Sequence, residues 1–158
     1  MPRAALALTL LLAVPTALAF ESRDIFYFYG YVKHFEPTPR TNEGNMKYLG
    51  YAREFPYGKW RFTSGGATYV DSYRVRSYSV FSDVSHDDVA FGILRPALSL
   101  QCQSKGRNYT SQDRQFICFP LPKVRIGADD GFLMNVSGAP KLGKLTDGFV
   151  VAEFGFKW

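Results

Sequence analysis

The last twelve residues of the chain, DGFVVAEFGFKW, alternate in character with a period of two. One face carries Gly148, Val150, Ala152, Phe154, Phe156 and Trp158, and the other carries Phe149, Val151, Glu153, Gly155 and Lys157. Successive side chains of a β-strand point to opposite faces, so this alternation is typical of a strand with one apolar face. The segment therefore predicts a final amphipathic strand. An ordinary soluble core beneath that strand is the alternative to a membrane-facing wall.

Turn-forming residues divide the preceding sequence into seven further segments with strand-like composition. The predicted strands are 24–34, 47–55, 59–70, 74–84, 89–103, 116–126, 132–138 and 148–158. Most have the ~9–11 residues that a tilted strand needs to cross a bilayer. After residue 19, no apolar run reaches the ~20 residues of a transmembrane helix. A membrane protein built from this chain must therefore be a barrel.

The lengths of the connections alternate along the chain. Connections 56–58, 85–88 and 127–131 are short, whereas three of the four others (35–46, 71–73, 104–115 and 139–147) are long. Short turns on one side and longer loops on the other are the pattern of outer-membrane barrels. The sequence thus predicts an all-β fold, an eight-stranded antiparallel up-and-down transmembrane β-barrel. A secreted soluble barrel with a hydrophobic ligand remains open, because alternation does not tell which face meets lipid.

The amino-terminal residues predict export. Arg3, an apolar run over 4–13 and the small-residue site Ala17-Leu18-Ala19 have the order of a signal peptide. We expect a signal peptide over residues 1–19, a barrel domain over 20–158 and a bacterial outer-membrane location. A buried first helix is the alternative.

The sequence contains two cysteines, Cys102 and Cys118. In an exported protein an even number of cysteines favours a disulfide, and two buried free thiols are the alternative. The neighbouring residues do not complete a metal-ligand set, so no metal site is expected. We expect no organic cofactor either.

The chain is basic, with a formal net charge of +5, and the predicted outer loops carry many of the cations. Arginine forks and lysine ammonium groups both bind phosphate. The candidate phosphate-binding residues are Arg40, Arg74, Arg76, Lys105 and Arg107. The alternative is that these charged residues only keep the loops solvated. We expect a membrane as partner, with no nucleic acid, and a monomeric protein.

Three residues suited to proton transfer fall at the outer ends of predicted strands. His34 ends the first strand, while Asp71 and Ser72 follow the third. A histidine can act as a general base, an aspartate can orient it, and a hydroxyl can attack or polarise a carbonyl. The alternative interpretation is that His34, Asp71 and Ser72 are ordinary loop residues.

Several of these residues occur in an order that resembles the lipid A palmitoyltransferases (PagP) of Gram-negative outer membranes. The similarity covers the His34 loop, the Asp-Ser pair in ATYVDSYR, the Pro-Leu-Pro of CFPLPKV and the terminal aromatic strand. It implies an eight-stranded barrel that moves an acyl chain from a glycerophospholipid to lipid A. It also implies catalytic roles for His34, Asp71 and Ser72, and a lateral route for lipid at Pro120 and Pro122.

The inward face predicted from alternation is polar. Its candidates are Ser77, Ser79, Asp83, Arg95, Gln101, Glu153 and Lys157. Charges beside an alkyl chain lose water, so this lumen predicts either a shallow pocket for a shorter chain or no acyl pocket. A catalytically silent barrel for lipid binding, adhesion or envelope integrity is therefore the second functional hypothesis. Lipid A deacylation is not favoured, because no histidine is followed two residues later by serine.

Overall fold

The computed structural model describes residues 21–35, 43–106, 114–141 and 147–158. Within these ranges the chain forms eight long strands and a two-residue strand. The strands are β1 (Arg23–His34), β2 (Gly44–Asn45), β3 (Leu49–Tyr57), β4 (Trp60–Val70), β5 (Arg76–His86), β6 (Leu94–Gly106), β7 (Arg114–Gly127), β8 (Gly131–Lys141) and β9 (Asp147–Lys157). No helix among the described residues is long and apolar enough to cross a membrane.

The long strands close into a barrel. From β3 to β9 each pairs antiparallel with the next, and β1 pairs with both β3 and β9. The β1–β9 ladder runs from Ile25 opposite Lys157 to His34 opposite Phe149 and forms the closure. The prediction of an eight-stranded antiparallel up-and-down barrel is confirmed. We call the end that carries Arg23 and Trp158 the turn end, and the opposite end, which carries His34, the loop end.

Side chains alternate across the barrel wall, as expected from the pleat of a strand. The predicted inward residues Asp83, Glu153 and Lys157 are almost completely buried. The outer wall exposes large apolar side chains on every long strand. The exposed aromatic residues of the strands are Phe26, Phe28, Tyr31, Tyr51, Tyr57, Trp60, Phe62, Tyr78, Phe116, Phe132 and Phe156, and those beside strand ends or in a connection are Phe35, Phe91 and Trp158.

The connection between β5 and β6 is longer than the sequence suggested. Residues Asp87–Val89 form a 3₁₀ helix, and β6 begins only at Leu94. Gly92 has a φ of 60°, a left-handed conformation that glycine adopts without steric cost. It lies in a tight turn in which Phe91 and Leu94 form an isolated bridge. The predicted start of this strand at residue 89 was wrong, because apolar composition alone does not distinguish a strand from an apolar turn.

Paired charges pack the lumen in the half nearer the turn end. The Glu54 carboxylate accepts hydrogen bonds from Arg125 and, at 3.2 Å, from Lys157. Lys123 Nζ lies 3.0 Å from Asp83 Oδ2. Removal of one partner from such a buried pair leaves an uncompensated charge, which is strongly destabilising. This half of the barrel therefore has a solid, charge-paired interior.

The ladder between β7 and β8 is incomplete. It extends from Gly127 opposite Leu133 to Lys123 opposite Ser137, and none of the described residues continues it toward the loop end. The β6–β7 ladder, in contrast, runs the full length from Leu94 to Gly106. If the β7–β8 register were extended, Pro122 would face Gly138 and Pro120 would face Pro140. Proline cannot donate to a ladder, so these edges are poorly suited to pairing.

The disulfide spans the β6–β7 ladder beside that gap. Cys102 and Cys118 lie directly opposite each other and are bonded, as the sequence predicted. Cys118 occupies the middle of the β7 segment that lacks a β8 partner among the described residues. The bond thus ties this segment to β6.

Candidate functional site

His34 and Ser72 meet at the loop end of the barrel. His34 is the last residue of β1, and Ser72 lies in the turn between β4 and β5. His34 Nε2 is 2.8 Å from Ser72 Oγ, a hydrogen-bonding distance at which the ring nitrogen can accept the hydroxyl proton. The two residues, 38 positions apart in sequence, are thus arranged as a base and a hydroxyl.

Glu43 supports His34 from the connection after β1. The backbone N–H of His34 donates to Glu43 Oε1 at 2.9 Å, and Lys33 Nζ lies 3.0 Å from Oε2. The hydrogen bond from His34 and the ion pair with Lys33 hold the pKa of the Glu43 carboxyl below its usual range. An ionised carboxylate therefore sits beside the end of β1 near neutral pH.

Asp71 organises the turn that carries Ser72. Its Oδ1 accepts hydrogen bonds from the backbone N–H groups of Tyr73 and Val75, both at 2.9 Å. Its Oδ2 accepts from Ser77 Oγ at 2.8 Å and from the backbone N–H of Gly106 at 2.6 Å. Both carboxylate oxygens thus fix the turn and tie it to β6. This arrangement gives Asp71 a clear means of positioning Ser72.

A cavity of about 80 Å³ lies below this pair. Its walls come from all around the barrel: Val32, His34, Met46, Tyr48, Tyr69, Asp71, Ser72, Gln101, Gln103, Lys105, Phe119, Leu121, Ser137, Phe149, Val151 and Glu153. Pockets that enclose a whole drug-sized ligand measure ~300–1,000 Å³. This cavity can therefore take the reactive end of a larger molecule, with most of that molecule outside.

The cavity and the gap in the β7–β8 ladder share residues. Phe119 and Leu121 of β7 line the cavity from one side of the gap, and Ser137 of β8 lines it from the other. Pro120 and Pro122 alternate with the first two residues and are exposed on the outer wall. The predicted lipid-access residues are thus placed where the wall beside the cavity lacks a continuous ladder among the described strands.

Several residues of the cavity wall were not predicted from the sequence. Tyr48 and Tyr69 stack with ring centroids 6.0 Å apart, and Tyr69 Oη donates to Gln103 Oε1. Tyr69 shares the parity of Asp71 along its strand, so alternation could have placed it on the inward face. The same argument applies to Tyr48, which shares the parity of the buried Glu54.

The candidate phosphate-binding residues that the structure describes lie near the loop end. Arg74 and Arg76 are exposed, and Lys105 is half-buried in the cavity wall with Nζ 5.6 Å from the centre of the Tyr73 ring. Arg40 and Arg107 lie outside the described residues. The three described cations are therefore compatible with a phosphate collar, which stays a prediction.

The fold is similar to that of the N-terminal β-barrel domain of OprF from Pseudomonas aeruginosa. The TM-score is 0.52 and the sequence identity is 20%, over 88% of this chain and 98% of that domain. No protein-family model matches the sequence. No curated protein matches it either. The similarity supports the barrel fold, while the resemblance to the lipid A palmitoyltransferases stays a prediction.

Proposed function

We propose that the protein is a bacterial outer-membrane barrel whose loop end faces the outside. The exposed wall supports a bilayer location because aromatic residues occur toward both ends of the barrel. Tyr57, Trp60 and Trp158 lie near the turn end, and Tyr78 and Phe116 near the loop end. Aromatic girdles of this kind mark the two interfaces of outer-membrane barrels. The similarity to the OprF domain supports the same fold class.

We further propose that the loop-end site is an acyltransferase that acts on lipid A. In this reaction a hydroxyl of lipid A attacks the acyl carbonyl of a glycerophospholipid ester. A new ester forms on lipid A, the old ester bond breaks, and a lysophospholipid leaves. His34 Nε2 accepts the proton of the attacking hydroxyl and returns it to the leaving oxygen, so no metal or organic cofactor is needed.

The other residues have supporting roles in this proposal. Ser72 Oγ assists at the acyl carbonyl, and Asp71 positions Ser72 through its four hydrogen bonds. Arg74, Arg76 and Lys105 contact lipid phosphates, and the gap at Pro120 and Pro122 admits lipid from the side of the barrel. The observation that carries the proposal is the 2.8 Å contact between His34 and Ser72 above a cavity that adjoins this gap.

Mass spectrometry of lipid A from cells that express the protein tests the activity. Wild type should add an acyl chain, and His34→Asn should lower the amount of product ~100-fold or more, as expected when a general base is lost. His86→Asn is the matched control, because His86 ends β5 at the turn end. It should leave the product unchanged. Unmodified lipid A in cells with correctly inserted wild-type protein would refute the transferase.

A catalytically silent barrel for lipid binding, adhesion or envelope integrity is the second candidate. It is favoured by the ion pairs that fill the turn-end half of the lumen, since small barrels are supported by interior side chains and need no chemistry. It predicts unchanged lipid A together with an envelope defect on deletion. It also predicts that His34→Asn rescues that defect as well as wild type does.

A further inference from the structure

A groove lies on the outside of the barrel, below the loop end of β3, β4 and β5. Its floor contains the small residues Gly66 and Thr68 of β4. Its sides contain Leu49, Tyr51 and Tyr78, each of which is about half exposed. The groove has a volume of about 380 Å³, within the ~300–1,000 Å³ of ligand sites. We call it the outer-wall groove, and it shares no lining residue with the cavity inside the barrel.

The shape of the outer-wall groove is preformed. On one side, Tyr51 Oη donates to Asp24 Oδ1 at 2.6 Å, and Arg53 Nε donates to the same oxygen at 2.7 Å. These bonds anchor the Tyr51 ring at its hydroxyl end. Gly66 lies directly opposite Tyr51 in the β3–β4 ladder and has no side chain that could fill the space beside the ring. A preformed site lowers the ordering cost of binding.

The arginines of the barrel are paired at one end and unpaired at the other. The described arginines in the turn-end half all form ion pairs with carboxylates: Arg23, Arg53, Arg61, Arg95 and Arg125. At the loop end, Arg74, Arg76 and Arg114 form no ion pair among the described residues. Cations without a carboxylate partner at a membrane surface are complementary to anionic lipid headgroups.

Two of the unpaired arginines lie at the loop end of the outer-wall groove. Arg76 is two residues from Tyr78 on the same face of β5, and Arg114 Cζ lies 5.6 Å from the centre of the Tyr78 ring. A guanidinium that stacks on a ring uses its flat face, so its N–H groups can still bind an anion. Arginine binds phosphate through two parallel hydrogen bonds. The groove and the arginines thus match a molecule with an apolar chain and a phosphate at one end.

We propose that the outer-wall groove binds lipid A, with one acyl chain in the groove and a phosphate between Arg76 and Arg114. A phosphate monoester carries up to two negative charges near neutral pH, which matches two arginines. Gly66 lies four residues from the end of β4, so the groove extends ~13 Å along the strand toward the middle of the wall. An acyl chain therefore points into the bilayer while its phosphate stays at the surface. The site is outside the barrel and does not depend on acyl transfer.

Native mass spectrometry of the purified protein in detergent micelles tests the phosphate contact. The probes are bis-phosphorylated lipid A and the same lipid without its phosphates. Wild type should bind the phosphorylated probe at least ~10-fold more tightly, the effect of one charged hydrogen bond. Arg76→Gln combined with Arg114→Gln should remove this preference. Arg23→Gln combined with Lys59→Gln is the matched control, because it removes two ion-paired cations at the turn end and should keep the preference.

Two substitutions in the groove test the binding of the acyl chain. A Cβ at Gly66 would meet no atom closer than 3.2 Å, so Gly66→Leu should insert normally, fill the groove and weaken both probes ~10-fold or more. Ala152→Leu is the matched control, because Ala152 shares the outward face of Phe156 on β9. Leu49→Ala truncates a half-exposed side and should weaken both probes about fivefold, which keeps the test valid if Gly66→Leu does not insert.

Each part of the proposal has an outcome that overturns it. Equal affinity of wild type for the two probes, or a preference that survives loss of both arginines, overturns the phosphate contact. Binding that is unaltered in the groove variants overturns the groove as the site of the chain. Equally tight binding of phosphatidylglycerol, or a protein dimer that Gly66→Leu dissociates, overturns lipid A as the occupant. Every one of these outcomes leaves acyl transfer standing, because that activity is measured by the mass of lipid A.

Discussion

Removal of the disulfide tests how the loop-end half of β7 is held in place. Among the described residues, segment 114–122 pairs with β6 and has no ladder to β8. The double substitution Cys102→Ser and Cys118→Ser opens a covalent loop whose ends are 16 positions apart. For a loop of ~15 residues the chain-entropy model gives a loss of about 3 kcal/mol in the free energy of unfolding. We expect a loss of that size.

Urea unfolding in detergent micelles, followed by tryptophan fluorescence, measures this loss. Wild type with reductant is the internal control, because reduction should lower its free energy of unfolding by the same amount. The reductant should not change the stability of the double-serine variant. Hydrogen exchange should locate the effect, with faster exchange over residues 114–122 and unchanged protection over 123–127, where β8 still pairs. Identical unfolding midpoints for oxidised wild type and the variant would refute the reasoning.

Two further predictions concern packing and charge. A Cβ at Gly65 would lie 2.5 Å from Ala52 Cβ, whereas one at Gly66 would meet nothing closer than 3.2 Å. In urea titrations Gly65→Ala should therefore cost ~1–3 kcal/mol or more, and Gly66→Ala less than ~1 kcal/mol. Burial alone would raise the pKa of Asp129, but Arg61 and neighbouring cations lower it below its usual range. Its contribution to stability should be complete above pH ~4 and be lost as the pH falls through the lowered pKa. In acid titrations of the unfolding midpoint, Asp129→Asn should remove that part of the pH dependence, and an unchanged profile would contradict the assignment.

The alternation of apolar and polar residues along a strand was enough to predict which side chains face the lumen. In DGFVVAEFGFKW it placed Glu153 and Lys157 on one face, and both are buried in the lumen. The reason is that the period of a strand fixes which side a residue faces, whatever its neighbours are. The same rule placed Asp83 inside.

Partners across the lumen could not be predicted in this way. Glu54 and Arg125 are 71 positions apart, and their contact depends on barrel closure and strand register. The use of both Asp71 carboxylate oxygens by the turn and by Gly106 also requires β6 to lie beside that turn. Sequence analysis identified Asp71 as a residue of the site, whereas its hydrogen-bonding role became visible only in the fold.

The incomplete β7–β8 ladder gives the barrel unequal stiffness along its height. Its rungs end at Lys123, next to the charge-paired interior, so the turn-end half should keep its cross-section. Among the described residues, the loop-end half of β7 has no rungs to β8, so this side of the wall can widen about the last rung. In a bilayer, the lateral pressure of the surrounding leaflet would then act on the distance between β7 and β8 in this half. If lipid enters beside Pro120 and Pro122 as proposed, the packing of the surrounding lipid would control access to the cavity without any change in the rest of the wall.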